Sequence, residues 1–273
     1  MGKKYELVVD DTIEVEGHTL HRIRLLKELS HVTAGTLGGY IEKEENLSHY
    51  GECWVASEAK VYNDASVEEN AVVDDTAIVK DRATIMEMAY ICDSAVVCDK
   101  AMIRGMVSVN ENAVVGGEVD ISGSSYICGN SSIKGEGFIC ESAYVGGNTV
   151  IDGDFEIYDC VILGGKINGT GVSIRGNVVI SDGADLSGTS IINGGARINF
   201  KVAHTSDYFT YRDPSRPHVI VTASIHEDIW NFGDFSGTAK EFIDYGYSLT
   251  DTNGKVNEEM VEYHNNLKSK YWS

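Results

Sequence analysis

The chain of 273 residues lacks long apolar runs, has few basic residues and contains only 2 prolines. No run approaches the roughly 20 residues of a membrane-spanning helix, and the first residues lack the apolar core of a signal peptide. The 22 Lys and Arg against 42 Asp and Glu give a net charge of -20, which disfavours broad contact with nucleic acid or anionic membranes. We therefore expect a cytoplasmic protein that binds neither.

Metal-binding motifs are also missing. The 6 cysteines form no Cys-x-x-Cys pair and no Cys/His cluster with zinc spacing, and no histidine lies between residues 55 and 200. Cysteines in this arrangement are typical of free thiols in a reducing compartment. We expect no disulfide, no metal and no resident cofactor.

The strongest positive signal is an internal repeat with a period of six. From Val55 to Ile157 every sixth residue is Val or Ile, at 18 consecutive positions, and most residues two places earlier are Ala or another small residue. The period then slips by one residue and resumes from Ile174 to Ile198. A helix would give a spacing near 3.6 and a flat sheet plain alternation, so neither explains the repeat.

This repeat has a direct physical meaning. A large β-branched residue and the small residue two places before it lie on the same side of a short extended segment, and here both point inward. The Asp, Asn, Gly and Ser residues that follow each anchor suit a tight corner. Three such segments form a triangular coil of 18 residues, so residues 55–200 form about eight coils. Proline is absent from them because it cannot donate a hydrogen bond to a neighbouring coil.

The pattern, as in Val55-Ala56-Ser57-Glu58-Ala59-Lys60, resembles the hexapeptide-repeat left-handed parallel β-helix. We expect an all-β dominated chain with an N-terminal β cap (1–46), the β-helix (47–200) and a small C-terminal α+β unit (201–273). The flanks predict strands at 5–9, 12–15, 20–26 and 219–223, and helices at 238–247 and 257–272. Asn257 is expected to cap the second helix.

The flanks also narrow the resemblance. Gly38-Gly-Tyr-Ile-Glu-Lys-Glu-Glu-Asn-Leu-Ser48 and Phe235-Ser-Gly-Thr-Ala-Lys-Glu-Phe242 are similar to uncharacterised hexapeptide-repeat proteins of phages, prophages and bacteria. Such proteins are usually labelled acyltransferases on fold alone. Acyltransferases of this fold use a histidine as general base and bind acyl-CoA. If the chain is such an acyltransferase, the resemblance implies that His204 or His226 is the base and that acetyl-CoA or another acyl-CoA is the co-substrate. The alternative is an ordinary solvated or core histidine.

A second candidate site is the segment Tyr208-Phe-Thr-Tyr-Arg-Asp-Pro-Ser-Arg-Pro-His218. Guanidinium groups beside aromatic rings can hold a phosphate and stack a planar ring. We expect a small anionic, nucleotide-like ligand to contact Arg212, Arg216, His218, Tyr208 and Tyr211. The alternative is a stiff connecting loop whose arginines pair with the protein's own carboxylates.

The residues just before each anchor point outward and form three columns. Two columns are largely aromatic or aliphatic, which predicts that they are buried in a homotrimer of parallel rods. The interface residues expected from them are Trp54, Tyr90, Tyr126, Tyr144, Ile78, Val96 and Val114. Alternatively, the C-terminal helices fold back over one column.

The third column is more polar, and residues 55–200 contain 21 acidic and 9 basic residues. A rigid acidic rod can occupy a basic protein groove, whereas the simpler interpretation is that these carboxylates keep the protein soluble.

Three functions remain open. The first is a non-catalytic binding protein of phage or mobile-element type, a homotrimer that captures a host component and opposes host defence. The captured component is either a small anionic ligand or a basic host protein. The second is an acyl-CoA-dependent acyltransferase, and the third is a structural or scaffold protein. The absence of histidine from the coils, the unbroken repeat and the resemblance favour the first.

Overall fold

The computed structural model describes residues 2–271 except 163, 194, 205–206, 214–215 and 234. For residues 161, 189, 193, 203–204, 212–213, 216–219 and 271 it describes the backbone alone. Within these ranges, no helix combines the length and the apolar character that a membrane crossing requires.

The N-terminal cap is a three-stranded antiparallel sheet. Strand β1 (Tyr5–Val15) pairs with β2 (His18–Leu25), which pairs with β3 (Leu37–Ile41). The two strands predicted before residue 16 are one strand with an irregular register. Strand β3 also pairs in parallel with Lys60–Val61, and a 3-10 turn at Glu44–Asn46 leads into the first coil. The cap thus covers backbone groups that the open end of the coils would expose.

Residues 47–204 form the left-handed parallel β-helix that the repeat predicts. The first face has nine parallel strands: Trp54–Val55, Val72–Val73, Tyr90–Ile91, Ser108–Val109, Tyr126–Ile127, Tyr144–Val145, Val161–Ile162, Val179–Ile180 and Arg197–Ile198. The second face contains Lys60–Val61, Ile78–Val79, Val96–Val97, Val114–Val115, Ser132–Ile133, the starts of Val150–Tyr158 and Lys166–Arg175, Asp185–Thr189 and Lys201–His204.

The third face contains Ser66–Val67, Thr84–Ile85, Met102–Ile103, Glu118–Ile121, Glu136–Cys140, the ends of Val150–Tyr158 and Lys166–Arg175, and Ile191–Asn193. The nine strands of the first face correspond to about nine turns, against the eight predicted. The difference arises because Arg197–Ile198 begins a further turn, which Lys201–His204 continues.

The core follows the predicted alternation of inward and outward residues. On the second face Val97 is fully buried, while its neighbour Val96 points outward and is half-buried. One continuous cluster of buried side chains runs from Tyr5 in the cap to Val202 in the last turn. The cap and the coils therefore share a single hydrophobic core.

The slip in the repeat is a local change in coil length. Ile162 pairs with Val145 and Ile167 with Ile151, so the anchors continue at shorter spacing after Ile157. An extra residue, Gly171, then bulges out between the pairs Asp154↔Thr170 and Phe155↔Val172. The β-helix continues through this region without a break, because the bulge nearly restores the register.

The C-terminal unit combines an antiparallel sheet with two helices. The sheet contains Tyr208–Asp213, Arg216–Ser224, Trp230–Phe232 and Phe235–Gly237. Helix α1 (Ala239–Leu249) starts at the capping box of Thr238 and Glu241, as its predicted start implies. Helix α2 (Asp251–Tyr271) begins earlier than predicted, so Asn257 is not its cap. The Asn257 side chain instead donates to the Phe242 carbonyl at 2.7 Å and joins the helices.

The C-terminal sheet packs on the last turn of the β-helix. The Asn231 amide donates to the Arg197 carbonyl and to the Asn199 side chain, each at 2.9 Å, and the Arg197 N–H donates to the Thr222 hydroxyl at 3.1 Å. The unit therefore covers the second open end of the coils within the same chain.

Candidate binding groove

The third face changes character from its fourth strand onward. In the earlier coils a tight turn precedes each third-face strand, whereas Glu118–Ile121 and Glu136–Cys140 start directly at the corner. Gly135 lies at this corner with a φ of +95°, and a Cβ there would collide with the Gly153 backbone. Adjacent coils therefore approach each other closely where these strands begin.

An aromatic ring lies in the core beneath this part of the third face. Phe155 occupies an inward position that holds a small residue in most coils, and it is 2% exposed. The residue below it in register is Gly137, on which a Cβ would lie 2.7 Å from the Phe155 ring. The glycine thus makes room for the phenylalanine. Phe138, 52% exposed, and Ile191, 50% exposed, form apolar edges.

These residues line an open groove of about 750 Å³, which reaches the bulge at Gly171. Its charged side chains are four carboxylates and one guanidinium, namely those of Glu118, Glu136, Asp154, Glu156 and Arg175. The lining therefore has a net charge of -3, four negative and one positive.

The carboxylates differ in their partners. Glu118 pairs with Lys100, and Glu156 pairs with Arg175 at 2.6 Å. Glu136 and Asp154 are exposed and lie in register on adjacent coils, which are separated by about 4.8 Å. Within the described chain, neither has an ion-pair partner. The groove therefore presents two neighbouring carboxylates beside an exposed aromatic ring.

This arrangement suits a cationic side chain with an apolar stem. An ammonium or guanidinium group can contact both carboxylates while its methylene groups lie over Phe138. Lys100 shows the same kind of contact within the chain, since its amine reaches Glu118 on the next coil.

The coil corners bring cysteine and aspartate side chains together twice. The two clusters have potential ligand atoms within 4.8 Å and consist of Asp75, Cys92, Asp93 and Asp81, Cys98, Asp99. Every one of these carboxylates accepts the backbone N–H of the residue 18 places later, at 2.8 to 3.2 Å. Burial and the nearby carboxylates raise the pKa of both thiols to about 11. The clusters thus have a structural role at the corners, and the expectation of no metal stays a prediction.

The two histidines proposed as acyltransfer bases differ in what the structure describes. The side chain of His204 lies outside the described part. His226 Nε2 lies 3.1 Å from Asp207 Oδ1, and 59% of the His226 side chain is exposed. A carboxylate therefore orients an accessible imidazole, as in a general base.

The described parts of the arginine–aromatic segment lie in two β-strands. Its strands Tyr208–Asp213 and Arg216–Ser224 pair in antiparallel register. The side chains of the cationic members lie outside the described part, namely those of Arg212, Arg216 and His218.

Both tyrosines of this segment have structural contacts. Tyr211 stacks on Trp230 with ring centroids 5.9 Å apart, and its hydroxyl lies 2.9 Å from His264 Nδ1. Burial raises the pKa of Tyr211. The Tyr208 hydroxyl donates to the Ile191 carbonyl at 3.2 Å. These contacts disfavour the expected stacking of either ring on a ligand.

The outward-facing residues of the predicted interface are at least partly exposed except at the first coil. Trp54 holds the outward position of its strand, in register with Val72, but it is only 2% exposed because the cap near Gly38 covers it, so the expectation that it is available to an interface is wrong. Tyr90 and Tyr126 are each 39% exposed, so the C-terminal helices do not cover them.

The other predicted interface residues are half-buried. They are Tyr144, Ile78, Val96 and Val114. Tyr144 stacks on Tyr126 at 5.5 Å, and Ile78 packs against the cap cluster of Leu20 and Tyr40.

Comparison with known proteins adds no family assignment: no protein-family model matches the chain, and no curated protein matches its sequence. The resemblance to hexapeptide-repeat proteins of phages therefore stays a prediction.

Sequence reasoning identified the third column as the more polar one but missed the groove. The missing signal was the recurrence of Gly-Glu, Gly-Glu and Gly-Asp at 117–118, 135–136 and 153–154, a spacing of 18 residues. Together with the slip in the repeat, it marks the stretch that lines the groove.

Proposed function

We propose that this protein is a non-catalytic binding protein that holds a basic partner protein in the groove of the third face. The observation that carries the proposal is the pair Glu136 and Asp154, which has no ion-pair partner within the described chain and lies beside the exposed ring of Phe138. A lysine-rich or arginine-rich segment is complementary in charge to this lining. A small anionic ligand is less favoured, because the overall charge is -20 and Tyr211 is packed inside the C-terminal unit.

The biological setting is part of the same proposal. From the resemblance to proteins of phages we propose that the partner is a host protein in the cytoplasm and that capture opposes host defence. We also propose a homotrimer. The exposed rings of Tyr90 and Tyr126 on the first face support association through that face, which leaves the groove on the third face open.

A labelled oligolysine peptide tests the groove, with fluorescence anisotropy as the readout. We expect it to bind the wild type and an oligoglutamate of equal length not to bind. The double variant Glu136→Gln/Asp154→Gln should weaken binding by about twofold to thirtyfold, because each of two exposed ion pairs contributes about 0.2 to 1 kcal/mol.

A matched control separates the groove from general electrostatics. Glu259→Gln/Glu262→Gln removes the same two charges from exposed positions of α2 and should leave the affinity nearly unchanged. An equal loss of affinity in both double variants would contradict a specific site at the groove.

The second candidate function is acyl transfer, and the contact between His226 and Asp207 favours it. In that case the protein should transfer an acetyl group from acetyl-CoA to an amine or hydroxyl, with release of free CoA as the measured product. His226→Ala should remove this activity, and Asp207→Asn should lower it by changing the orientation of the imidazole. Turnover that His226→Ala leaves intact would rule out this base.

A further inference from the structure

A lysine side chain is buried against a cysteine at the N-terminal end of the β-helix. Lys4 is 2% exposed and Cys53 is fully buried. Lys4 Nζ donates to the Cys53 carbonyl at 2.8 Å and to Cys53 Sγ at 3.1 Å. Buried lysines usually pair with a carboxylate, but no described carboxylate lies within ion-pair distance of this amine. The thiol is therefore a direct neighbour of the amine in a site that excludes water.

Three other cysteines have side-chain contacts with oxygen atoms and not with an amine. The thiols of Cys92 and Cys98 contact aspartate carboxylates, and that of Cys128 contacts the Tyr144 hydroxyl. Neither a carboxylate nor a hydroxyl contains a nitrogen atom, so neither can be joined to sulfur through a nitrogen–oxygen bond. The contact between Lys4 and Cys53 thus has a covalent chemistry that these three contacts lack.

We propose that Lys4 and Cys53 are the site of an oxidative cross-link in which one oxygen atom joins Nζ to Sγ. Dioxygen is the oxidant. One S–O bond and one N–O bond form, the O–O bond breaks, and one N–H and the S–H bond are lost. The second oxygen atom leaves as water with these two hydrogens. Sulfur and nitrogen are each oxidised by two electrons, and dioxygen is reduced by four.

Burial gives this cross-link its selectivity. Larger thiols and disulfides cannot reach Cys53, so exchange with another cysteine is disfavoured. Dioxygen is small and apolar, so a brief local opening of the cap is enough to admit it to the site. The contact at 3.1 Å then holds the amine beside the oxidised sulfur before further oxidation occurs.

The cross-link would fasten the cap to the first coil. Lys4 directly precedes β1, and its carbonyl accepts the Leu26 N–H at 2.8 Å. Cys53 directly precedes the first strand of the first face. A covalent bond between positions 49 residues apart lowers the entropy of the unfolded chain and keeps the open end of the coils covered.

Mass spectrometry of protein purified without air tests the inference, and its readout does not depend on the proposed binding function. One half of the sample stays reduced and the other half is exposed to air. We expect the aerated protein to gain the mass of one oxygen and lose that of two hydrogens, and peptide mapping to join Lys4 to Cys53. Dithiothreitol should reverse the change. The thermal midpoint should be higher in the aerated wild type than in the reduced one.

Three variants make the result decisive. Lys4→Arg keeps a cation and its hydrogen bonds but should not form the link, and Cys53→Ser should also fail. Cys160→Ser alters another buried cysteine and should form the link as the wild type does. An unlinked Lys4 in fully aerated, folded wild type would overturn the inference. So would a link that contains no oxygen, or one that persists in Lys4→Arg.

Discussion

Replacement of one inward valine by aspartate, Val97→Asp, should destabilise the β-helix by at least about 4 kcal/mol. Val97 is fully buried between Val79 and Val115, which pair with it on the coils on either side. A carboxylate at this position would have no hydrogen-bond donor, and the surrounding side chains leave no path for water. The loss therefore combines the desolvation of a charge with the removal of apolar contacts.

The adjacent residue provides the matched control. Val96→Asp introduces the same side chain one position earlier, where the residue points outward and is half-buried. We expect it to change the free energy of unfolding by less than about 1 kcal/mol. Urea denaturation of both variants, with hydrogen exchange to locate local opening of single coils, measures the difference. Equal losses would contradict the assigned direction of the two side chains.

The fold was predictable because each coil repeats one physical rule. Val97, Ile103 and Val109 are equivalent positions in successive hexads, so a single interpretation of the pattern applies to the whole repeat. The rule also told inward from outward residues. It did not predict the burial of Trp54, since the outward position of the first coil is covered by the cap, and no local pattern shows that a distant segment will pack there.

The candidate groove was much less predictable than the coils that form it. Phe155 departs from the rule for small inward residues, and the glycine that makes room for it, Gly137, lies 18 residues earlier in the chain. Tyr211 shows the converse difficulty. A cluster of aromatic and cationic residues in the sequence indicated a ligand site, but its ring belongs to the packing around Trp230. Composition alone does not tell a binding surface from a small core.

The distribution of ion pairs connects the fold with the proposed function. In the cap, several acidic residues are paired, as in the contact of Lys80 with Glu16 at 2.9 Å. At the corners, the carboxylate of Asp93 holds a backbone N–H group. Glu136 and Asp154 have neither kind of partner within the described residues, although they are adjacent and repel each other. Charges arranged in this way favour a cationic partner, and this is why we place it in the groove.

The second large effect on the free energy of unfolding is expected for Gly135→Ala, a substitution in the backbone at the edge of the groove. Gly135 has a φ of +95°, and a methyl group there would collide with the Gly153 carbonyl oxygen and amide nitrogen. Since these are backbone atoms of the next coil, they cannot move without displacing that coil. We expect a loss of at least about 3 kcal/mol, from the strain of a left-handed alanine and from overpacking.

Gly176→Ala separates these two causes. Gly176 also has a positive φ, +66°, but a Cβ there would meet no atom within 4 Å. The Gly176→Ala variant should therefore lose only about 1 kcal/mol of stability, which is the cost of the backbone strain. Thermal and urea unfolding of the two variants measure the difference, which we attribute to the close approach of adjacent coils at the corner. If Gly176→Ala were as destabilising as Gly135→Ala, backbone strain alone would explain both, and close packing of the coils would not be the reason for glycine at the edge of the groove.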